Sequence, residues 1–173
     1  MPIPPLVQKL VQAPIFRGLS PEEIAPLLEI AQDRPLTAGA TVFQEGDRGE
    51  GLYFVLEGTV EVRKAGRGGA PHALATVVEG GVLGEMSLLG ETRMRSASAV
   101  AVGAVKLLKL PSDRFGELLE RGEIGALKLA VNLAKVMSRR LWLMDEKLLE
   151  LLDPSRKKEE LVDFQRILTE WQF

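Results

Sequence analysis

Between residues 36 and 110 the apolar pattern of this chain breaks into short runs of β-type residues, each closed by glycine. The runs are ATVFQE, GLYFVLE, TVEVRK, HALATVV, ASAVAV and VKLLKL, and EGDRGEG, AGRGGAP and VEGG lie between them. Short strands at regular spacing, with turn signals between them, predict an antiparallel roll, sandwich or barrel. GEMSLLGE departs from this pattern and reads as a single helical turn, with Met86, Leu88 and Leu89 expected to face inward.

Helical periodicity flanks this region on both sides. In residues 1–35, Leu6, Val7, Leu10 and Val11 recur at helical spacing. In GLSPEEIAPLLEIAQ, Ser20 is an expected N-cap, Pro21 takes the first helical position and Glu23 completes a capping box. Ile24, Leu27, Leu28 and Ala31 would form the buried stripe. Farther on, Ser112 is expected to cap a short helix carrying Phe115, Leu118 and Leu119, which Gly122 ends. A long helix is then predicted from near Ile124 to Leu152. Leu127, Ala130, Ala134, Met137, Leu141, Met144, Leu148 and Leu151 advance along it in alternating steps of three and four, a heptad seam. Arg140 falls at g and Asp145 at e, so a parallel homodimer through residues 124–152 would bring these charges together. A second stripe, Leu129, Leu133, Val136 and Leu143, predicts that the helix also packs on its own domain. After the breaker DPS, Leu161, Phe164, Leu168 and Trp171 share one side of an amphipathic tail helix. That face suits docking onto the parent dimer or onto a protein effector. The expected organisation is a helical segment (1–35), a roll core (36–122), a dimer helix (123–152) and a tail (153–173).

Composition removes several function classes. With no cysteine there are no disulfides, thiolate metal sites or thiol nucleophiles. His72 is the only histidine and sits in the polar stretch GRGGAPHA, where a solvated surface role is expected. Clustered carboxylates around a metal are also missing from the pattern, so neither catalytic residues nor a required cofactor is expected. A formal net charge of −2 offers no basic field for nucleic acid. The start MPIPPLVQKL does not resemble a secretory signal, and no apolar run reaches the ~20 residues of a membrane helix. A cytoplasmic protein without membrane attachment is the expectation.

The segment that carries chemistry is LGEMSLLGETRMRSASAV, Leu83 to Val100. Gly84 permits a sharp turn and a close ligand approach. Amides at the start of the following turn, at Glu85, Met86 and Ser87, can point at an anion. Arg95 adds a permanent cation with fork geometry, and Ser96 adds a hydroxyl beside small Ala97. Glu85 would repel a phosphate, yet it suits a neighbouring sugar hydroxyl. Taken alone, these residues fit either an anion cradle or an ordinary Glu–Arg ion pair between strands.

GLYFVLEGTVEV after GDRGE, together with LGEMSLLGETRMRSASAV, resembles the cyclic-nucleotide-binding domain family, of the catabolite-activator and kinase-regulatory-subunit type. IFRGLSPEEIAPLLEIA and TVFQEGD are similar to the start of that domain, and the likeness extends over residues 14–148. The resemblance implies a mainly β fold: an antiparallel eight-stranded, jelly-roll-like β-roll with helices at both ends and a long C-terminal dimerisation helix. It implies that Gly84 and Glu85 hold the phosphate turn and the ribose hydroxyl, that Arg95 pairs with the cyclic phosphate and that Ser96 assists. MSRRLWLMDEKL resembles the family's dimer helix, where two hydroxyl residues touch the base. Met144 and Asp145 stand there instead. Met144 could pack on the base, and Asp145 could accept from adenine's amine, bind guanine's edge or pair with Arg140 of a second copy. A sensor of cAMP, or else cGMP, acting through ligand-linked helix movement is implied; the other reading is a ligand-independent coiled-coil scaffold. Relatives that bind DNA append a winged helix-turn-helix. Residues 153–173 fall short of the ~30 that three average helices need, so DNA binding by that route is not expected.

Overall fold

The computed structural model describes residues 4–66, 71–89 and 94–151. The chain divides into two units, Met1–Leu133 and Ala134–Phe173.

Proline and serine set the N-terminal helices of the first unit. Helix α1 (Pro5–Gln12) begins on a proline and buries Val7 and Leu10. A 3-10 turn (Pro14–Phe16) leads to α2 (Pro21–Ile30). Ser20 caps α2 as expected: its hydroxyl accepts from the Glu23 amide at 3.3 Å, and the Glu23 carboxylate accepts from the Ser20 amide at 2.9 Å. Ile24 and Leu27 are buried, whereas Ala31 is the C-cap rather than a member of the stripe, because α2 stops at Ile30.

Eight strands follow among the described residues, every pairing antiparallel. They are β1 (Gln32–Leu36), β2 (Thr41–Phe43), β3 (Gly51–Glu57), β4 (Thr59–Ala65), β5 (Pro71–Val78), β6 (Val82–Leu83), β7 (Ser98–Ala101) and β8 (Val105–Pro111). One sheet has the order β1-β8-β3-β6 and the other β2-β7-β4-β5. The inner faces meet in a core that includes Tyr53, Val55, Leu83, Val105 and Leu107 from the first sheet and Val42, Val60, Ala99 and Ala101 from the second. Leu52, Phe54, Leu108 and Leu110, on the other face of the first sheet, are buried as well. Phe54 meets Phe16 edge-on at 5.5 Å, so the N-terminal helical segment covers that face. Burial on both faces explains why GLYFVLE is apolar throughout instead of alternating.

The run pattern hid two strands. β1 is polar and contains Pro35, which is tolerated because β1 lies on the sheet edge. It spans position 35, so the sheet takes in residues on both sides of the 35/36 division. β6 is only Val82–Leu83. GEMSLLGE contains the expected single turn, α3 (Met86–Leu89). His72 is exposed as expected, and it lies in β5, the strand of the HALATVV run.

Helix α4 (Ser112–Glu120) follows β8 without a gap. Pro111 is its N-cap and no side chain caps it, so Ser112 is a buried first-turn residue and not the expected cap. Gly122, at φ 74°, ends the connection to α5 (Ile124–Leu151). The first turns of α5 are fixed to the first unit. Ala126, Leu129 and Leu133 are buried. The Lys128 ammonium pairs with the Glu23 carboxylate at 2.6 Å, and the Asn132 amide donates to the Ile15 and Arg17 carbonyls, both at 2.9 Å. Of the expected heptad seam, Leu127, Ala134, Leu141 and Met144 are exposed, and Ala130, Met137 and Leu148 are half-buried. The second stripe divides. Leu129 and Leu133, in the first unit, are buried, whereas in the second unit Val136 is half-buried and Leu143 exposed. Leu152 and the tail with Leu161, Phe164, Leu168 and Trp171 lie outside the described residues.

Candidate functional site

Period-two alternation builds the site. Through RSASAVA, Arg95, Ala97, Ala99 and Ala101 are all buried while Ser96 is exposed, although β7 itself begins only at Ser98. The buried positions leading into β7 are therefore small, and Arg95 precedes them. The backbone of Arg95 is clamped by the loop before β3. Its amide donates to the Asp47 carbonyl at 2.8 Å, and its carbonyl accepts from the Gly46 amide at 2.9 Å. The loop holds itself: the Asp47 carboxylate accepts from the Gln44 amide at 3.0 Å, and the Ser98 hydroxyl accepts from the Glu45 amide at 2.9 Å.

The guanidinium is only 4% exposed as a residue and does not face water. It donates to the Gly51 carbonyl at 2.8 Å and to the Gly84 carbonyl at 3.2 Å. Its carbon stands 4.2 Å over the Phe43 ring and 5.5 Å from that of Tyr53. Burial pushes the Arg95 pKa below the usual arginine range, and the neighbouring Tyr53, Glu50 and Glu85 pull it back. Arginine remains charged under such a shift. Gly84 is required here. Its φ is 79°, and a Cβ would run into the Arg95 guanidinium.

Gly84, buried Glu85 and α3 follow β6 directly, and the Leu88 amide donates to the Glu85 carbonyl at 3.1 Å to open the turn. The structure thus brings Gly84, Arg95 and Ala97 to one end of the roll. Ser96 lies at the surface, with its hydroxyl 3.6 Å from the Met86 sulfur. Met86 is 53% exposed, contrary to the inward position expected of it. A four-residue helix cannot turn all its apolar side chains to one face, and Met86 takes the open side. The side chains of Ser87 and Leu89 lie outside the described residues. Met144 and Asp145 are exposed residues of the second unit.

Sequence reasoning missed the supports of Arg95: Phe43, Tyr53 and Gly51. Alternation in TVF and GLYF was the available signal, because it sets Tyr53 on the inner face with Val55. It also missed a wall on the sheet that contains β7. Val60 and Val77 face the core, and their neighbours on the same face, Val62 and Ala75, pair with each other. Val60 is fully buried, Val62 half-buried and Ala75 exposed, so the inner face loses its cover toward that end of β4 and β5. A recessed cation, backbone carbonyls that hold it, small side chains and an uncovered apolar wall together suit an anion joined to a flat apolar group.

Comparison with known proteins gives the same direction. A family model described as "Cyclic nucleotide-binding domain" matches residues 33–122. The cyclic AMP receptor protein of Thermus thermophilus is 40% identical over 129 residues, 75% of this chain and 57% of that protein. The crystal structure of the Thermus thermophilus catabolite activator protein aligns with a TM-score of 0.72 at 40% identity, over 80% of this chain and 63% of the other. A cyclic nucleotide-binding domain from Methylobacillus flagellatus aligns with a TM-score of 0.73 at 26% identity, over 83% of this chain and 80% of the other. This chain spans about three fifths of the length of the curated relatives it matches first.

Proposed function

This chain belongs to the cyclic nucleotide-binding domain family, and from that premise we propose that it is a regulatory sensor whose ligand is cAMP. Arg95 receives the cyclic phosphate together with the amides at Glu85, Met86 and Ser87, Glu85 accepts from the ribose hydroxyl, and Ser96 assists at the rim. The single observation that carries this reading is the Arg95 guanidinium, recessed at the end of an alanine row and held on the Gly51 and Gly84 carbonyls. A charged group buried this far needs compensation, and the two backbone carbonyls supply part of it in a form that fixes the direction of the guanidinium. Val62 and Ala75 offer the base an apolar wall. Met144 and Asp145 are the proposed base contacts on the dimer helix, with Asp145 accepting from the exocyclic amine of adenine.

The output is a shift in helix arrangement. The exposed seam of Leu127, Leu141 and Met144 supports a homodimer through residues 124–152. A ligand that binds one arrangement of this helix better than another shifts the population accordingly. The tail face of Leu161, Phe164, Leu168 and Trp171 is proposed to carry the signal to a protein effector. No chemical step is assigned to the chain. Among the described residues no cluster of side chains could hold a metal, and no helix is long and apolar enough to cross a membrane. A cytoplasmic location remains part of the proposal.

Calorimetry with cAMP and with cGMP, on the wild type and on Arg95→Ala, tests the reading. Heat with cAMP, weaker heat with cGMP and none with Arg95→Ala are expected. Silence with both nucleotides would reject the sensor in favour of a scaffold.

A further inference from the structure

The inner face of β8 contains a residue that a purely structural sheet would not place there. Val105 and Leu107 on this strand face the core, and Lys109 continues the row. Lys109 pairs in register with Tyr53, the ring beside the Arg95 guanidinium. It is 8% exposed, and its ammonium reaches the Glu50 carboxylate at 3.1 Å. Burying an ammonium costs free energy that a leucine would not, so packing alone does not account for it.

Charge balance at the anion site does. Two carboxylates act on Arg95, Glu85 and Glu50. Glu50 adjoins Gly51, whose carbonyl holds the guanidinium at 2.8 Å. One guanidinium against two carboxylates leaves the locality net negative, which opposes a phosphate. We propose that Lys109 is the second cation of the anion site: it offsets Glu50 and so lessens the negative potential that an anionic ligand meets there. Lys109 does not touch the ligand in this arrangement. It is a positioning residue acting through Glu50, and the inference rests on the cyclic-nucleotide reading of the same site.

Titration with cAMP at low and at physiological salt tests it, with folding of each variant checked by circular dichroism. Lys109→Met is expected to weaken binding roughly fivefold at low salt and less at high salt, because the Glu50 carboxylate is largely solvent-exposed and screened. Lys109→Arg should keep wild-type affinity. Glu50→Gln combined with Lys109→Met should return to within about twofold of wild type, which loss of packing would not do. Should Lys109→Met not fold, Glu50→Gln alone carries the test and should tighten binding by a similar factor. Wild-type affinity in Lys109→Met, or no recovery in the double variant, or no tightening in Glu50→Gln, overturns the proposal while leaving the nucleotide reading intact. Absence of cAMP binding by the wild type overturns both.

Discussion

Gly84→Ala isolates the contact on which the site depends. A non-glycine residue at φ 79° costs about 1–2 kcal/mol in backbone strain. The new Cβ would also collide with the Arg95 guanidinium and lie 3.1 Å from the Gly51 carbonyl oxygen. The guanidinium must withdraw and lose at least one charge-assisted hydrogen bond, about 1.5–3 kcal/mol. The sum, about 2.5–5 kcal/mol, lowers Tm by roughly 10 °C in a chain of this size. Thermal denaturation without nucleotide measures it, and the decisive comparison repeats the substitution on Arg95→Ala. With no guanidinium to meet, Gly84→Ala should there cost only the strain, about 1–2 kcal/mol. An equal drop in both backgrounds would refute the argument that Gly84 exists to admit Arg95.

Gly125→Ala should destabilise the chain by about 1–3 kcal/mol in urea denaturation, although alanine is the better helix former; its Cβ would meet the Glu23 backbone. Leu129→Ala, at a fully buried position, should cost about 2–5 kcal/mol in the same assay. The Lys128 ammonium and the Ser20 amide hold the Glu23 carboxyl below its ordinary pKa of 4.5. The stability this contributes is therefore present above that value and lost as pH falls through the lower folded value, and Lys128→Met should flatten the acid limb of a stability–pH profile in that window. Leu141→Glu, on the exposed seam, should leave the Tm near wild type in dilute protein and convert the proposed dimer to monomer in analytical ultracentrifugation.

Much of the fold was legible because the signals were local. The Ser20–Glu23 capping box and the Gly122 break need only a few residues, and the apolar run of β3 needs only a sheet covered on both faces. β1 escaped because an edge strand may be polar and contain proline. Ser112 looked like a cap by composition, but β8 runs straight into α4 and leaves that role to Pro111. Spacing singled out Gly84 and Arg95, and the structure sets the Gly84 carbonyl against the Arg95 guanidinium. Gly51 was not legible, since its carbonyl meets Arg95 across 44 positions of sequence and a backbone acceptor has no residue signature. Met86 was misplaced because helical periodicity was extended to a single turn.

Tyr53 is the only tyrosine in the chain, and its ring lies 5.5 Å from the Arg95 guanidinium carbon. Ring-labelled tyrosine would therefore give a single ring spin system, reporting from beside the proposed anion site without any substitution. The natural sequence already contains its own spectroscopic probe, at the place where occupancy most needs to be seen.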